Sequence, residues 1–360
     1  VREKHWFPAF VSNVKLLIFT SFLNGCDLDL LVMKKIIALV AGGYTGEYDI
    51  SIKTALTIER NINPEHYTVY KIIIDQSNWL YTSPEGVAIP IDRTDFSLTL
   101  NGTKITFDAA FIAVHGTPGE DGKLQGYFEM IGMPFTTCDS VVSGLTFNKI
   151  FCNRVVASAG IVKVSKSVHV LQSDRISTDE LLQQIQLPAF IKPAEGGSSL
   201  ATTKVKTKEE IQPALVAVFA FDDQAMMEEF VKGREFSIGV YQYRSEIIAL
   251  PVTEIISSKE FFDYEAKYTP GVTNEVTPAQ IDPSLAQNIA LAAKKIYRLL
   301  CCKGICRVDF IVEEGTHDIY FLEINTVPGQ SEQSIVPQQV RACGLTLMDF
   351  YSRLIEEALA

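Results

Sequence analysis

The sequence lacks an apolar run long enough to span a membrane. "LLIFTSFL" near the start falls far short of the about 20 residues a helical span needs. Internal repeats, low-complexity tracts and long flexible linkers are also missing, which points to closely packed domains. Basic residues are in deficit, 32 Lys and Arg against 43 Asp and Glu, for a formal charge of −11. That balance argues against a nucleic-acid backbone as the main partner. It does not exclude an anion such as a nucleotide, because lysines, amides and metal ions reverse the sign locally. The seven cysteines are odd in number and scattered, so they read as reduced cytosolic thiols rather than a disulfide framework. "CCKGIC" (Cys301, Cys302, Cys306) has no second CxxC pair and no nearby histidine to complete a zinc set. Free thiols at a helix end are the expectation there. No GxxxxGK[ST] phosphate loop occurs anywhere.

At 360 residues, 47% apolar and 21% charged, the chain has the profile of a globular protein with two or three domains. Residues 1–32 carry Arg2, Lys4 and Lys15 before the short apolar run and "LNGC", which mimics a short lipoprotein signal. Met33 opens "MKKIIALVAGG", a typical first strand, so residues 1–32 are expected to be an upstream extension outside the fold. From there, strands ending in glycine alternate with helical stretches, the mark of a parallel sheet with ligand loops at one edge. Residues 33–148 form this first unit, 149–231 a second with "LPAFIKPAEGGSS" and "QAMMEEFV", and 232–360 a third. The third ends in the hairpin "GICRVDFIVEEGTHDIYFLEIN" and an amphipathic helix, "LTLMDFYSRLIEEAL".

The hairpin carries the first chemical signal. With a turn centred near Thr316, Asp309 lies opposite Glu323 and Arg307 opposite Asn325, all on one sheet face. Two carboxylates and an amide oxygen make a hard site of the kind magnesium takes together with substrate phosphates. A surface strand pair with an Arg–Glu salt bridge is the alternative. "FIKPAEGGSSL" places Lys192 at a strand end before a glycine–serine loop whose amides can cradle phosphate, although a flexible hairpin explains it as well. "MMEEFVKGREF" offers either a solvated strand edge or acids for an adenine amine and ribose hydroxyls. In "AGGYTGE", Glu47 follows the last glycine at a helix start, where it would repel a pyrophosphate and suit an ammonium group. "HGTPGEDGKLQG", from His115, sets glycines beside ionisable groups, and "FFDYEAKY" offers either a charged surface turn or a lid.

In order, these stretches closely resemble the D-alanine–D-alanine ligase family of the ATP-grasp superfamily, from about Met33 to the C-terminus. The motifs are GGxxxE, HGxxGEDGxxQG, KPxxxGSS, EExxxGxEF, EAKY, RxDF, ExNxxPG and "SIVP" (334–337). The resemblance implies an α/β, three-domain ATP-grasp ligase: a parallel-sheet N-terminal domain plus two α+β domains clamping ATP. It implies Lys149 and Lys192 on the ATP phosphates, and Glu228, Val231 and Glu235 around adenine and ribose. Asp309, Glu323 and Asn325 match the ligands of two Mg2+ ions, with Mn2+ able to substitute. Glu47 resembles the carboxylate that receives the first D-alanine's ammonium, in a hydrogen-bonded set with Ser198 and Tyr268. His115 belongs to the substrate-binding loop, and Lys267 matches a lid contact to the γ-phosphate. Arg307 and the Gly329 amide resemble the groups that stabilise the tetrahedral intermediate, and Ser334 and Ile335 sit where the second D-alanine's carboxylate is held.

The reaction implied is ATP-dependent joining of two D-alanine molecules through an acyl phosphate, for peptidoglycan precursors, by a cytoplasmic homodimer with no nucleic-acid or membrane partner. The rivals are a D-alanine–D-lactate ligase, another ATP-grasp carboxylate–amine ligase and, further off, a non-catalytic nucleotide-binding protein. Tyr268 speaks for the peptide product, since phenylalanine there accompanies the depsipeptide preference. Val327, Gln330 and the loop "KPAEGGSSLA" depart from the family's usual pattern.

Overall fold

The strand β1 (Lys35–Gly42) is an unbroken apolar run with its last six residues buried, as a strand covered on both faces must be. It pairs in parallel with β2 (Tyr67–Ile74), reached through the helix Tyr48–Asn61. Four short strands follow: β3 (Trp79–Thr82), β4 (Ala88–Asp92), β5 (Ser97–Leu100) and β6 (Thr103–Ile105). The seventh, β7 (Ala109–Ile112), returns to the other side of β1, again in parallel. The sheet order is β6-β5-β4-β3-β2-β1-β7. The parallel core expected from sequence is therefore β2-β1-β7, and the β2–β6 segment runs antiparallel. The reason is chain length: β2 and β3 are joined by residues 75–78, too few for the crossover that a parallel pair requires. This computed structural model describes residues 34–197, 201–257 and 273–360, so Met33, the extension 1–32, Ser198, Lys267 and Tyr268 lie outside the described residues.

After β7 come the helices Lys123–Ile131, Ser140–Phe147 and Lys149–Ala159, and then the two-residue strand β8 (Lys163–Val164). A second sheet is fully antiparallel, in the order β11-β10-β12-β9. It is formed by β9 (Ser167–Leu171), β10 (Ala189–Pro193), β11 (Thr203–Val205) and β12 (Gln224–Glu229). The helix Lys208–Phe219 buries Ile211, Ala214, Leu215 and Val218 in this sheet's core.

The third sheet is built on β13 (Gly233–Tyr243), with β14 (Glu246–Ala249), β15 (Thr253–Ser257) and β16 (Thr273–Val276). The apolar stretch "EIIALPVTEI" divides at Pro251, which has no N–H to give a ladder. The sheet continues through β17 (Ile305–Glu313) and β18 (Ile319–Asn325) to β8, which pairs in parallel with β18.

Two C-terminal helices join this sheet to the first. The helix Leu347–Leu359, capped by Thr346, buries Phe350, Tyr351, Leu354 and Ile355 in one core with Leu39 and Phe111 of the first sheet and Tyr241 of the third. Each such large side chain contributes about 1.5–3 kcal/mol on burial. A second tie is steric. Gly304, at φ +60°, passes so close to the Thr136 carbonyl that an added Cβ would overlap it at 1.9 Å. Glycine is required where the lead-in to β17 crosses the segment after the first sheet.

Candidate active site

Strands β17 and β18 pair Asp309 with Glu323 and Arg307 with Asn325, as the hairpin pattern predicts. The turn is centred between Gly315 and Thr316, where that pattern placed it, but the ladder is not regular. Beyond Asp309 the register shifts, so that Phe310 faces Phe321 and Leu322 is the extra residue of a bulge. Without the bulge, the register of Phe310 with Phe321 would set Asp309 opposite Leu322. The bulge realigns the two carboxylates, a use that such irregularities often have beside functional sites.

Asp309 is buried and held by three groups. Ser237 Oγ donates to its Oδ1 at 2.5 Å, Arg307 Nε to Oδ1 at 3.0 Å, and Arg307 Nη2 to Oδ2 at 2.8 Å. Burial opposes the Arg307 charge, but Asp309, with Glu323 and Glu120, outweighs burial and holds the guanidinium above its ordinary pKa. Ser237 went unnoticed in the sequence, although a hydroxyl in the apolar run "EFSIGVYQY" was a readable anomaly. Gln339, fully buried, fixes that strand by donating to the Ser237 carbonyl and accepting from the Gly239 amide. Asn325 Oδ1 accepts from the Val327 amide at 2.8 Å, which orients the side chain and accounts for Val327's backbone role.

The second sheet supplies a buried ion pair. Lys192 and Glu228 are diagonal neighbours on β10 and β12, with Nζ and Oε1 2.5 Å apart. Burial opposes the Lys192 charge, and Glu228 followed by Glu323 reverses that and raises its pKa. The influence of Glu323 brings the second and third sheets into one electrostatic site. Lys149 Nζ donates to the Gly196 carbonyl at 2.6 Å, beside the glycine–serine loop. The two acids of "MEEF" have parted roles, since Glu229 accepts instead from the Gln186 amide.

From the first sheet comes Glu47, the N-cap residue of the helix Tyr48–Asn61. A Cβ added to Gly197 would lie 3.0 Å from Glu47 Oε1, and one added to Gly116 would lie 3.2 Å from Oε2. The carboxylate thus rests against both glycine loops, next to the position that precedes Ser198. His115 is buried, with Nδ1 3.5 Å from Glu120 Oε1 and Nε2 3.0 Å from Thr54 Oγ1. Thr54 Oγ1 in turn accepts the Gln330 amide at 3.3 Å, so this buried chain runs to the residue after Gly329. Gly329 packs on Ser334: a Cβ there would meet Ser334 Oγ at 2.9 Å. Ser334 caps the helix Ile335–Ala342 without a side-chain cap bond, its hydroxyl pairing with Ser331 at 2.7 Å. The amides of that first turn are thereby open to a ligand carboxylate.

Burial pushes the Glu120 carboxyl above its ordinary range, against the opposing pull of His115. A carboxyl whose folded pKa is raised contributes stability that is complete below its unfolded pKa and is lost as pH climbs through the folded value. The difference in melting temperature between Glu120→Gln and the unaltered chain should therefore move in the variant's favour from about pH 4 upward. Melting curves across the pH range check this; a constant difference, or one of opposite drift, would contradict it.

The described groups that the family resemblance implies for the reaction open onto one cavity of about 1360 Å³, and Thr54, Ser237, Gln339 and Gln330 stand outside its lining. Its walls include Glu47, His115, Lys149, Lys192, Glu228, Val231, Glu235, Arg307, Asp309, Glu323, Asn325, Gly329, Ser334 and Ile335. Every described residue that the family resemblance assigns to the site is thus in one place, drawn from three sheets. Thr54, Ser237 and Gln339 are supporting residues that the motifs did not single out, and Glu120, part of HGxxGEDGxxQG, is the partner that holds His115. The donor set of Asp309, Glu323 and Asn325 suits a hard cation, and the Arg307 guanidinium already lies against Asp309.

Comparison with known proteins agrees with this arrangement. Family models described as D-ala D-ala ligase N-terminus and C-terminus match residues 36–138 and 155–356. A D-alanine–D-alanine ligase of Phocaeicola vulgatus is 44% identical over 324 residues, covering 90% of this chain and 99% of its own. That of Porphyromonas gingivalis W83 is 40% identical over 328 residues, covering 91% and 98%. Among solved structures, the VanG D-Ala:D-Ser ligase from Enterococcus faecalis superposes with a TM-score of 0.81 at 32% identity, covering 91% of this chain and 100% of that one. The D-alanine–D-alanine ligase from Coxiella burnetii gives 0.79 at 28%, covering 91% and 94%. Motif order, cavity, family models and full-length relatives agree that this chain belongs to the D-alanine–D-alanine ligase family, with its ATP-grasp fold and use of ATP.

Proposed function

We propose that the chain joins two D-alanines to D-alanyl-D-alanine at the expense of ATP, for peptidoglycan precursor synthesis, with the cavity residues in the following roles. The observation that carries these roles is the meeting of Glu47, the Lys192–Glu228 pair and the Asp309–Glu323 register around one cavity. Lys149 and Lys192 bind the phosphates, while Glu228, Val231 and Glu235 form the adenine and ribose pocket. Asp309, Glu323 and Asn325 would hold magnesium ions, which neutralise phosphate charge during phosphoryl transfer.

A carboxylate is a poor electrophile, so the first D-alanine is activated as an acyl phosphate. Glu47, whose carboxylate lies against Gly197 and Gly116, receives its ammonium. The amine of the second D-alanine attacks the activated carbonyl and loses its proton to solvent, and the acyl C–O bond then breaks to release inorganic phosphate. Arg307 and the Gly329 amide donate to the tetrahedral oxyanion. Ser334 and the Ile335 amide, at the helix N-terminus, bind the second carboxylate. His115, clamped between Glu120 and Thr54, fixes the wall between the two amino-acid positions. Ser198 and Tyr268 complete the Glu47 set and Lys267 the lid contact in this reading. The working enzyme is a cytoplasmic homodimer.

Phosphate release from ATP measured with D-alanine against L-alanine is the primary test, and D-alanine alone should support it. Mass spectrometry of products at neutral pH, with D-alanine offered alone and with D-lactate or D-serine, identifies the acceptor. The dipeptide D-alanyl-D-alanine should dominate. A predominant ester or D-alanyl-D-serine would overturn the acceptor assignment and leave the ATP chemistry standing.

A further inference from the structure

Three cysteines from distant parts of the chain meet outside the catalytic cavity. Cys138 follows the first sheet, Cys302 follows the helix Pro283–Leu299, and Cys306 is in β17. All three are buried, none lines the cavity, and their sulfurs all lie within 4.8 Å of one another. The Cys138 and Cys306 sulfurs are 3.6 Å apart. Lys303 presents its amide N–H to the Cys138 sulfur at 3.3 Å, and its carbonyl oxygen is also 3.3 Å from that sulfur. The same carbonyl is 3.9 Å from the Cys306 sulfur.

Cys301, Cys302 and Cys306 are free thiols as expected, and a third sulfur joins Cys302 and Cys306 from more than 160 residues earlier in the chain. Metal–sulfur bonds of about 2.3 Å in tetrahedral geometry set sulfurs roughly 3.8 Å apart. The observed cluster brackets that spacing with little rearrangement. Its electronics agree. Burial opposes ionisation of Cys138, but hydrogen bonds from Cys302, Cys306 and the Lys303 amide overcome it and hold that thiol well below its usual range. Its two neighbours are pushed up, Cys302 by its bond to Cys138 and Cys306 chiefly by burial. Three buried sulfurs within 4.8 Å of one another are a preformed soft donor set.

We propose that Cys138, Cys302 and Cys306 form a three-thiolate site for one thiophilic divalent cation of the zinc class, with the Lys303 carbonyl positioned to supply an oxygen. Binding breaks the S–H bonds of the three thiols, releases their protons to solvent and forms three metal–sulfur bonds, with no change of oxidation state. The ion ties the segment that follows the first sheet to the strand carrying Arg307 and Asp309. Its role is structural, since Cys306 points away from the cavity that its neighbour Arg307 lines.

The test uses the full chain, reduced and freed of metal by chelator, titrated with Zn2+ and with Cd2+ in excess Mg2+ to occupy oxygen sites. One equivalent of Cd2+ should bind with an ultraviolet thiolate-to-metal absorption and a release of protons to solvent. Zinc should displace or block it. Cys138→Ser and Cys306→Ser should each abolish the band, while Cys301→Ser and Cys343→Ser, at exposed positions, should keep it. Melting curves of the metal-free variants establish that they fold. The reading on the unaltered chain is decisive even if a core variant does not fold. Absence of the band there, its persistence in Cys138→Ser, or a Cys138–Cys306 disulfide formed in place of metal binding would each overturn the proposal.

Discussion

Changing Asp309 to Asn, or Glu323 to Gln, should lower ATP-dependent phosphate release by at least the order of 100-fold, the loss seen when even outer partners of a metal are removed. Both replacements keep the side-chain shape and remove one negative charge from a set of three donors. What is lost is the ability to hold cations beside the phosphates, which Lys149 and Lys192 cannot restore alone. Residual activity should need a higher Mg2+ concentration, a readout that a purely structural defect would not move. Asp309→Asn also leaves the half-buried Arg307 guanidinium short of a charge partner, so it should melt earlier than Glu323→Gln. Steady-state phosphate release against Mg2+ concentration, with melting curves alongside, measures both effects. Release within a few-fold of the unaltered chain in both variants would sink the metal assignment.

Lys192→Met should destabilise the protein by about 3–5 kcal/mol, because it strands Glu228 as an unpaired charge in a buried site. The two side chains retain only 13% and 8% of their exposure, so water cannot easily take the place of the lost lysine. Lys192→Met combined with Glu228→Gln should recover most of that stability, since burying two neutral groups avoids the charge penalty. Activity should stay low in both variants, as both residues are proposed to contact ATP. Urea unfolding of the single and double variants gives the comparison. If the single change costs under about 1 kcal/mol, or the double change recovers nothing, the pair is not the coupled buried unit described above.

Much of the site was legible as local pattern. The alternation in "RVDFIV" and "IYFLEIN" put Arg307, Asp309, Glu323 and Asn325 on one face without any structure, because strand side chains repeat every two residues. Leu322 shows the limit of such reasoning. A bulge leaves no period of its own, and only the observed register revealed that the ladder shifts by one residue beyond Asp309. The antiparallel strands of residues 79–105 were equally hard to read, since their short, mixed segments carry neither a helical nor a strict two-residue pattern.

The sequence by itself determined the order of the glycine loops, the Lys192 and Glu228 strand ends and the two-residue spacing of the acidic hairpin. These are local properties, written in periodicity and in where glycine and proline interrupt it. The tertiary structure alone decided that Glu47 lies against Gly197, that Ser237 and Gln339 hold Asp309 in place, and that Cys138 meets Cys302 and Cys306. Such partners lie tens to hundreds of residues apart, and no local period records which faces a folded core will bring together.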